Sequence, residues 1–193
     1  MWVSIIASLG GAFLGSVIGP WILDWWFKPR IQVSSTDEVL RERGVLYHRV
    51  AITNRGRREL RSCVSAISIR NMAYDDIAAT AKKQVITPED FRSKSHMENE
   101  LLHWSTLGHG SSQNINPKVT AKLDLYRVLL SSDGKPDLIQ IPSEQGWEPL
   151  KISLRPRALP YDGKVVISGA NTEPREVDFK FVTSEDDVHF VMK

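Results

Sequence analysis

An uncharged run near the amino terminus most constrains what this chain can fold into. Trp2 to Leu23, 22 residues, contains no charged side chain. As a helix the run would span about 33 Å, enough to cross a hydrocarbon core of roughly 30 Å. The sequence therefore predicts a transmembrane helix over roughly Trp2 to Trp26, in an N-terminal anchor of residues 1–29. Side chains that favour the lipid headgroup level mark both ends of the run: Trp2 at one end, and Trp21, Trp25, Trp26, Lys28 and Arg30 at the other.

A cleaved signal peptide is the alternative interpretation of this run. Signal peptides have basic residues before an apolar core of roughly 7–15 residues, and a small-x-small cleavage site after it. Here no basic residue precedes the run, and the run is longer. Trp25, Trp26 and Phe27 occupy the place where small residues would be needed. These departures favour an uncleaved anchor.

The predicted helix has a small residue at every fourth position: Ala7, Gly11, Gly15 and Gly19. Such residues lie in one stripe and let a second helix backbone approach closely. The pattern predicts a helix-association face for another transmembrane helix, either a second copy of this one or a foreign one. The competing explanation is composition, because glycine is common in membrane helices.

Flanking charge predicts the orientation of the anchor. Lys28, Arg30, Arg41 and Arg43 follow the helix, whereas only the α-amine precedes it. Cytoplasmic flanks carry the excess of Lys and Arg. We therefore expect a single-pass membrane protein whose following domain is soluble and faces the cytoplasm.

Residues 30–193 have the pattern of a mainly β domain, with short strands separated by turn sequences. This spacing predicts an antiparallel β-sandwich. An insertion at about 70–117 interrupts the pattern. It is predicted to hold a helix from Thr87 to about Met97 and a loop from Gly108 to Asn116. The predicted strands are Ile31–Ser35, Val45–Asn54, Leu60–Ile69, Val119–Leu130, Leu138–Ile141, Pro149–Leu154, Lys164–Ser168 and Glu176–Val182.

The stretch RVAITNRGRRELRSCVSAISI, Arg49 to Ile69, resembles the core of Ig-like β-sandwiches of the bacterial adhesion-related, CARDB-like kind. It is more similar still to a group of uncharacterised prokaryotic membrane-anchored proteins with that core. LLHW (Leu101–Trp104), AKLDLYRV (Ala121–Val128) and KVVISGANTEP (Lys164–Pro174) are also similar to that group. The resemblance covers about two thirds of the chain. It implies an immunoglobulin-like sandwich of about seven to nine strands, a turn at Asn54–Gly56, and no catalytic residue.

The sequence contains none of the common catalytic or metal-binding motifs. There is no P-loop and no G-x-S-x-G, H-E-x-x-H or C-x-x-C spacing. A net charge of +2 also argues against a nucleic-acid partner. We therefore predict no catalytic residue, no metal site and no cofactor.

Several potentially reactive side chains are interpreted as structural residues. His48 is interpreted as a half-exposed strand residue and Cys63 as a core residue. Trp104 and Trp147 are interpreted as packing residues. The acidic stretch Glu185–Asp187 is interpreted as a solvated loop.

Four arginines in seven residues stand out: Arg55, Arg57, Arg58 and Arg61. They could form a solvated hairpin tip, or they could contact phosphate. If the first predicted strand leaves the membrane and pairs antiparallel with the second, the turn after the second strand returns to the membrane. The four arginines would then join two residues that follow the anchor in a membrane-proximal group, here called the basic collar: Lys28, Arg30, Arg55, Arg57, Arg58 and Arg61.

Two functional hypotheses follow. The first is a membrane-anchored sandwich acting as a binding, accessory or assembly subunit of a membrane complex. Its partners would be membrane lipid and another transmembrane helix. The alternative is a membrane-tethered enzyme with its site in the 70–117 insertion, because long insertions often carry function.

Overall fold

The computed structural model describes residues 16, 18–35, 40–80, 100–105 and 111–193. Most of the predicted transmembrane helix lies outside the described residues, as do Ala7, Gly11 and Gly15 of the predicted helix-association face. Among the described residues, no helix has the length and apolar character needed to span a bilayer.

One α-helix, α1 (Gly19–Phe27), precedes the sandwich within these ranges. Pro20 lies in its first turn, where a missing N–H is tolerated. The helix ends at Phe27, and Lys28 has φ −51° and ψ 135°. This is the extended conformation that a following proline favours, so Pro29 accounts for the end of the helix.

Thirteen β-strands and a 3₁₀ helix (Tyr74–Asp76) follow in the described part of the chain. The strands are β1 (Ile31–Ser35), β2 (Leu40–Glu42), β3 (Val45–Asn54), β4 (Leu60–Ile69), β5 (Ile77–Thr80), β6 (Glu100–Leu101), β7 (Ser112–Ile115), β8 (Thr120–Leu130), β9 (Pro136–Ser143), β10 (Gly146–Leu154), β11 (Tyr161–Gly169), β12 (Thr172–Thr183) and β13 (Val188–Met192).

These strands form two antiparallel sheets. The first sheet has the order β1-β3-β8-β9-β10-β5, with β2 paired to β3. The second has the order β13-β12-β11-β4-β6, with β7 paired to β4. The predicted mainly β, antiparallel sandwich is confirmed, with more strands than the resemblance implies.

The buried apolar side chains of the described residues form one core between the two sheets. Burying each large apolar side chain contributes about 1.5–3 kcal/mol before the entropy of ordering is subtracted. The core residues with almost no exposed surface include Ile52, Leu123 and Tyr126 from the first sheet and Leu60, Ile67, Val165, Phe179 and Phe181 from the second.

Strand β4 contains a bulge that the sequence pattern did not predict. Simple alternation would place Leu60 and Cys63 on opposite faces of the strand. In the structure both are fully buried, because the register shifts between them. Ser62 lies at the shift with φ 47°, and its N–H donates to Asn114 Oδ1 at 2.8 Å. The extra residue turns Leu60 into the core.

The 70–117 interval contributes to the sandwich itself. It supplies β5 to the first sheet, and β6 and β7 to the second. The prediction of a loop from Gly108 to Asn116 is therefore wrong at Ser112–Ile115, a polar strand paired with β4. The predicted helix from Thr87 to Met97 lies outside the described residues.

The packing interpretations of two tryptophans and the cysteine are confirmed. Trp104 is fully buried and bridges to Leu123, which brings the chain from β6 across to the first sheet. Trp147 packs edge-on against Tyr47, with 5.6 Å between ring centroids. Cys63 is fully buried, and burial raises the pKa of its thiol to about 12.

Candidate functional site

The segment between α1 and β1 joins the sandwich at the carboxyl end of β3. Strands β1 and β3 pair antiparallel from Ile31 opposite Asn54 to Ser35 opposite Val50. The predicted pairing of the first two long strands is therefore confirmed. Beyond the last pair, the Arg55 N–H donates to the Arg30 carbonyl at 2.7 Å. We call this the helix end of the sandwich.

Asn54 fastens the segments that meet at the helix end. Its side chain is fully buried. Nδ2 donates to the carbonyls of Arg58 at 2.7 Å and Ile115 at 3.0 Å. Oδ1 accepts from the backbone N–H groups of Arg30 at 3.3 Å and Gly56 at 3.0 Å. One amide thus joins the segment before β1, the end of β7 and residues 55–59, here called the arginine turn.

Gly56 allows the arginine turn to lie directly on the segment before β1. A Cβ added to Gly56 would meet the Lys28 carbonyl oxygen, the Pro29 Cα at 2.5 Å and the Arg30 N at 2.7 Å. All three are backbone atoms, which cannot swing aside as a side chain can. Glycine is required here for close approach of two backbones.

Two arginines of the turn lie over aromatic rings at the end of α1. The Arg57 Cζ is 4.8 Å from the centroid of the Trp26 ring, and the Arg58 Cζ is 5.9 Å from that of Phe27. A guanidinium within about 6 Å of a ring face is attracted to it electrostatically. These contacts connect the helix to the sandwich through side chains as well as backbone.

A cleft of about 250 Å³ lies where these groups meet. Indole rings and basic side chains both line it, so its surface is aromatic and cationic. The lining residues are Trp25, Trp26, Lys28, Arg30, Arg55, Gly56 and Arg57.

The cations of the cleft differ in how far they are neutralised. Lys28 Nζ lies 2.8 Å from Glu173 Oε1, and this hydrogen bond with its charge holds the pKa of Glu173 below its ordinary value. Arg55 Nε donates to the neutral Gln32 amide at 2.6 Å. Among the side chains that the structure describes, the guanidinium groups of Arg30 and Arg57 lie at ion-pair distance from no carboxylate.

Five members of the basic collar therefore meet around the end of α1, whereas Arg61 lies to one side. The Arg61 N–H donates to Asn171 Oδ1 at 3.0 Å, in the turn between β11 and β12. Its guanidinium Nε lies 3.4 Å from Glu59 Oε2. Arg61 does not line the cleft.

Sequence reasoning missed a further cation at the helix end. The Lys118 N–H donates to the Asn54 carbonyl at 2.7 Å, and Lys118 has φ 63° and an exposed side chain. The next residue, Val119, is 48% exposed. No local signal connects residue 118 with residue 54. The strand order, in which β3 pairs with β8, brings them together.

A scan of protein-family models and a search of curated proteins found no match to this chain. The resemblance to CARDB-like sandwiches stays a prediction. The geometry of the helix end is therefore the basis for a functional argument.

A second polar cluster lies at the opposite end of the sandwich, the far end. The interpretation of His48 as half-exposed is wrong, because it is 8% exposed and stacks on Tyr126 at 4.3 Å. Its Nε2 lies 3.0 Å from Asp187 Oδ1. The interpretation of Asp187 as solvated is also wrong, because only 13% of its side chain is exposed. Burial, followed by the Asp187 charge, raises the pKa of Tyr126.

Ser184 and His189 extend this cluster in an order reminiscent of a nucleophile, a base and an acid. Ser184 Oγ lies 3.3 Å from His189 Nε2, and His189 Nδ1 lies 3.7 Å from Asp187 Oδ2. However, Ser184 Oγ donates to the Asp187 carbonyl at 2.9 Å and accepts from the Asp187 N–H at 3.1 Å. The hydroxyl therefore closes a turn between β12 and β13.

The alternative of an enzyme site in the insertion stays a prediction, because residues 81–99 and 106–110 lie outside the described part of the chain. Within the ranges that are described, no three His, Cys, Asp or Glu side chains are placed to hold a metal ion.

Proposed function

We propose that this protein is a single-pass, membrane-anchored β-sandwich of immunoglobulin-like type that acts as a binding, accessory or assembly subunit of a membrane complex. The observation that carries the proposal is the docking of residues 28–30 beneath the arginine turn. A flexible linker would let the sandwich tumble freely at the end of its helix. When the linker is docked, the direction of the helix determines the direction of the sandwich.

The side chains around the docked linker suit a lipid interface. Trp21, Trp25 and Trp26 are 73%, 59% and 51% exposed on α1. Indole rings favour the headgroup level, and exposed aromatic side chains at this density are typical of interaction surfaces. Basic side chains beside them are attracted to anionic lipid by about 1 kcal/mol each. The basic collar and the tryptophans would thus lie together at the membrane surface.

The orientation of the chain is testable by labelling. We propose that the sandwich faces the cytoplasm. Cys63 is fully buried, so a cysteine introduced by Ser132→Cys, exposed at the far end, is the reactive thiol of the folded protein. In intact cells producing the full chain, we expect a membrane-impermeant maleimide to label it only after the cells are opened. The chain should also stay with membranes after carbonate extraction.

The wild-type chain, with Cys63 alone, is the control for background labelling. Efficient labelling of Ser132→Cys from outside intact cells would reverse the orientation. Release of the chain by carbonate would contradict the proposed membrane anchor.

The partner of the anchor is the second element of the proposal. Gly19 begins α1, and the other members of the helix-association face lie outside the described residues. We expect Gly11→Leu together with Gly15→Leu to abolish oligomers, or to release a partner, when the full chain is purified in mild detergent, because leucine prevents close helix approach. Gly10→Leu together with Ser16→Leu, each about 100° or more around the same predicted helix from both replaced glycines, is the control. An unchanged assembly in the glycine variant would contradict the role.

A further inference from the structure

We infer that the cleft beneath the arginine turn is a site for the phosphate group of one anionic phospholipid headgroup. The inference rests on the proposed membrane attachment and gives it a ligand. A basic surface attracts anionic lipid wherever charge lies. The cleft differs from such a surface, because side chains from separate segments of the chain line the same cavity.

The cleft carries a net positive charge. Four cations line the cleft, and Glu173 neutralises one of them, Lys28. Arg55 bonds to a neutral amide and keeps its full charge. Arg30 and Arg57 have no carboxylate at ion-pair distance among the described side chains. The cleft therefore attracts an anion, and a planar guanidinium can donate two parallel hydrogen bonds to phosphate oxygens.

The cleft is large enough for a phosphate group. The cleft volume of about 250 Å³ corresponds to about eight water molecules at roughly 30 Å³ each, enough for a phosphate with part of its headgroup. Trp25 and Trp26 form one wall. Arg57 lies over the Trp26 ring at 4.8 Å, which restrains the guanidinium while its N–H edges remain able to donate.

The fold positions the arginines of the cleft before a ligand binds. Arg30 and Arg57 come from different segments, and Asn54 binds the backbone on both sides, at Arg30 and at Gly56. The two guanidinium groups are thus brought together by folding and not by the ligand. A site that is already ordered spends less of its interaction energy on immobilising side chains.

The position of the cleft beside α1 favours lipid as the source of the phosphate. The wall formed by Trp25 and Trp26 belongs to α1, the carboxyl end of the proposed anchor. Tryptophans that follow a membrane helix lie at headgroup height. A cleft at that height would meet lipid phosphate at far higher local concentration than free phosphate.

The test uses the full chain in a mild neutral detergent, titrated with dihexanoyl phosphatidylglycerol while tryptophan emission is followed. Trp25 and Trp26 line the cleft, so occupancy should change the emission. We expect saturable binding, much weaker binding of dihexanoyl phosphatidylcholine, and weaker binding of inorganic phosphate. The variant Arg30→Gln together with Arg57→Gln should lose at least about tenfold in affinity, the effect of losing charge-assisted hydrogen bonds.

The matched control is Arg43→Gln together with Lys135→Gln. It makes the same change in charge at the far end of the first sheet, where the Leu130 N–H donates to the Gly44 carbonyl. This variant should bind like the wild type. The conservative variant Arg30→Lys together with Arg57→Lys keeps the charge but loses the planar fork, and an intermediate affinity is expected.

Three results would overturn the inference: equal weakening in the far-end control, emission changes that never saturate, or inorganic phosphate binding as tightly as the lipid. Its failure is distinct from failure of the proposed function. A chain without this site would still resist carbonate extraction, whereas a chain released by carbonate could still show the binding.

Discussion

Replacing Asn54 with alanine is expected to lower the free energy of unfolding by about 3 kcal/mol or more. The substitution removes two donated and two accepted hydrogen bonds of a fully buried side chain. The bonds with Ile115 and Gly56 are buried, and those with Arg30 and Arg58 are part-buried. The groups that lose their hydrogen-bond partner are the carbonyls of Arg58 and Ile115 and the N–H groups of Arg30 and Gly56. Each buried polar group without a partner costs about 1–3 kcal/mol, although some regain water when the helix end loosens.

Cys63 provides the measurement for this prediction. Its thiol is fully buried, with a pKa raised to about 12 by that burial, so the folded chain should resist thiol reagents at pH 8. Pulse labelling across a urea series in mild detergent then reports the fraction unfolded. We expect the midpoint for Asn54→Ala to fall well below that of the wild type.

Asn114→Ala is the matched control. It removes the same side-chain atoms near the same end of the sandwich. However, Asn114 is exposed, and among the described residues its side chain accepts a hydrogen bond from the Ser62 N–H at 2.8 Å. A loss of about 1 kcal/mol or less is expected for it. Equal losses in the two variants would show that the buried amide does not hold the helix end together.

Local signals in the sequence predicted the long strands. The bounds of β1, β3 and β4 agree with the predictions, because each strand has alternating or apolar residues and is bordered by turn residues. The position of the arginine turn could also be predicted. That prediction required only that β1 and β3 pair antiparallel. The end of β3 at Asn54 then lies opposite the start of β1 at Ile31.

The contacts that build the cleft could not be predicted in this way. Lys28 and Glu173 are separated by 145 residues, and the neutralisation of Lys28 depends on the turn between β11 and β12. The sequence signal at Asn54 is that of a turn residue, whereas its partners come from three separate segments. Such contacts depend on strand order, and short strands such as β6 and β7 become strands only by pairing with β4.

Gly56→Ala is expected to release the segment before β1 from the sandwich while the two sheets remain folded. The new Cβ would lie within 2.7 Å of backbone atoms of Pro29 and Arg30, so one backbone must move away from the other. The bond after Arg30 should then become accessible to trypsin. We expect its cleavage rate to rise about tenfold or more, because local opening controls proteolysis. The Lys28–Pro29 bond remains resistant, since proline follows the lysine.

The measurement is the appearance of a new amino terminus at Ile31, followed by mass spectrometry during limited trypsin digestion of the full chain in mild detergent. Gly44→Ala is the control. It strains a residue with φ +79° by about 1–2 kcal/mol, with nothing within 4 Å of the added Cβ, at the far end of β3. It should reduce stability without accelerating cleavage after Arg30.

Gly56→Ala also tests whether the docking of residues 28–30 affects binding of the proposed lipid headgroup. Moving Arg30 away from the turn separates it from Arg57, so a site built from both guanidinium groups should lose headgroup affinity although every cation is still present. Attraction of a diffuse basic surface to lipid depends on net charge and would be unchanged. Slow cleavage and unchanged headgroup binding in Gly56→Ala would show that close backbone approach does not set the geometry of the cleft. Fast cleavage with weakened binding would show that the geometry, beyond the charge, selects the lipid.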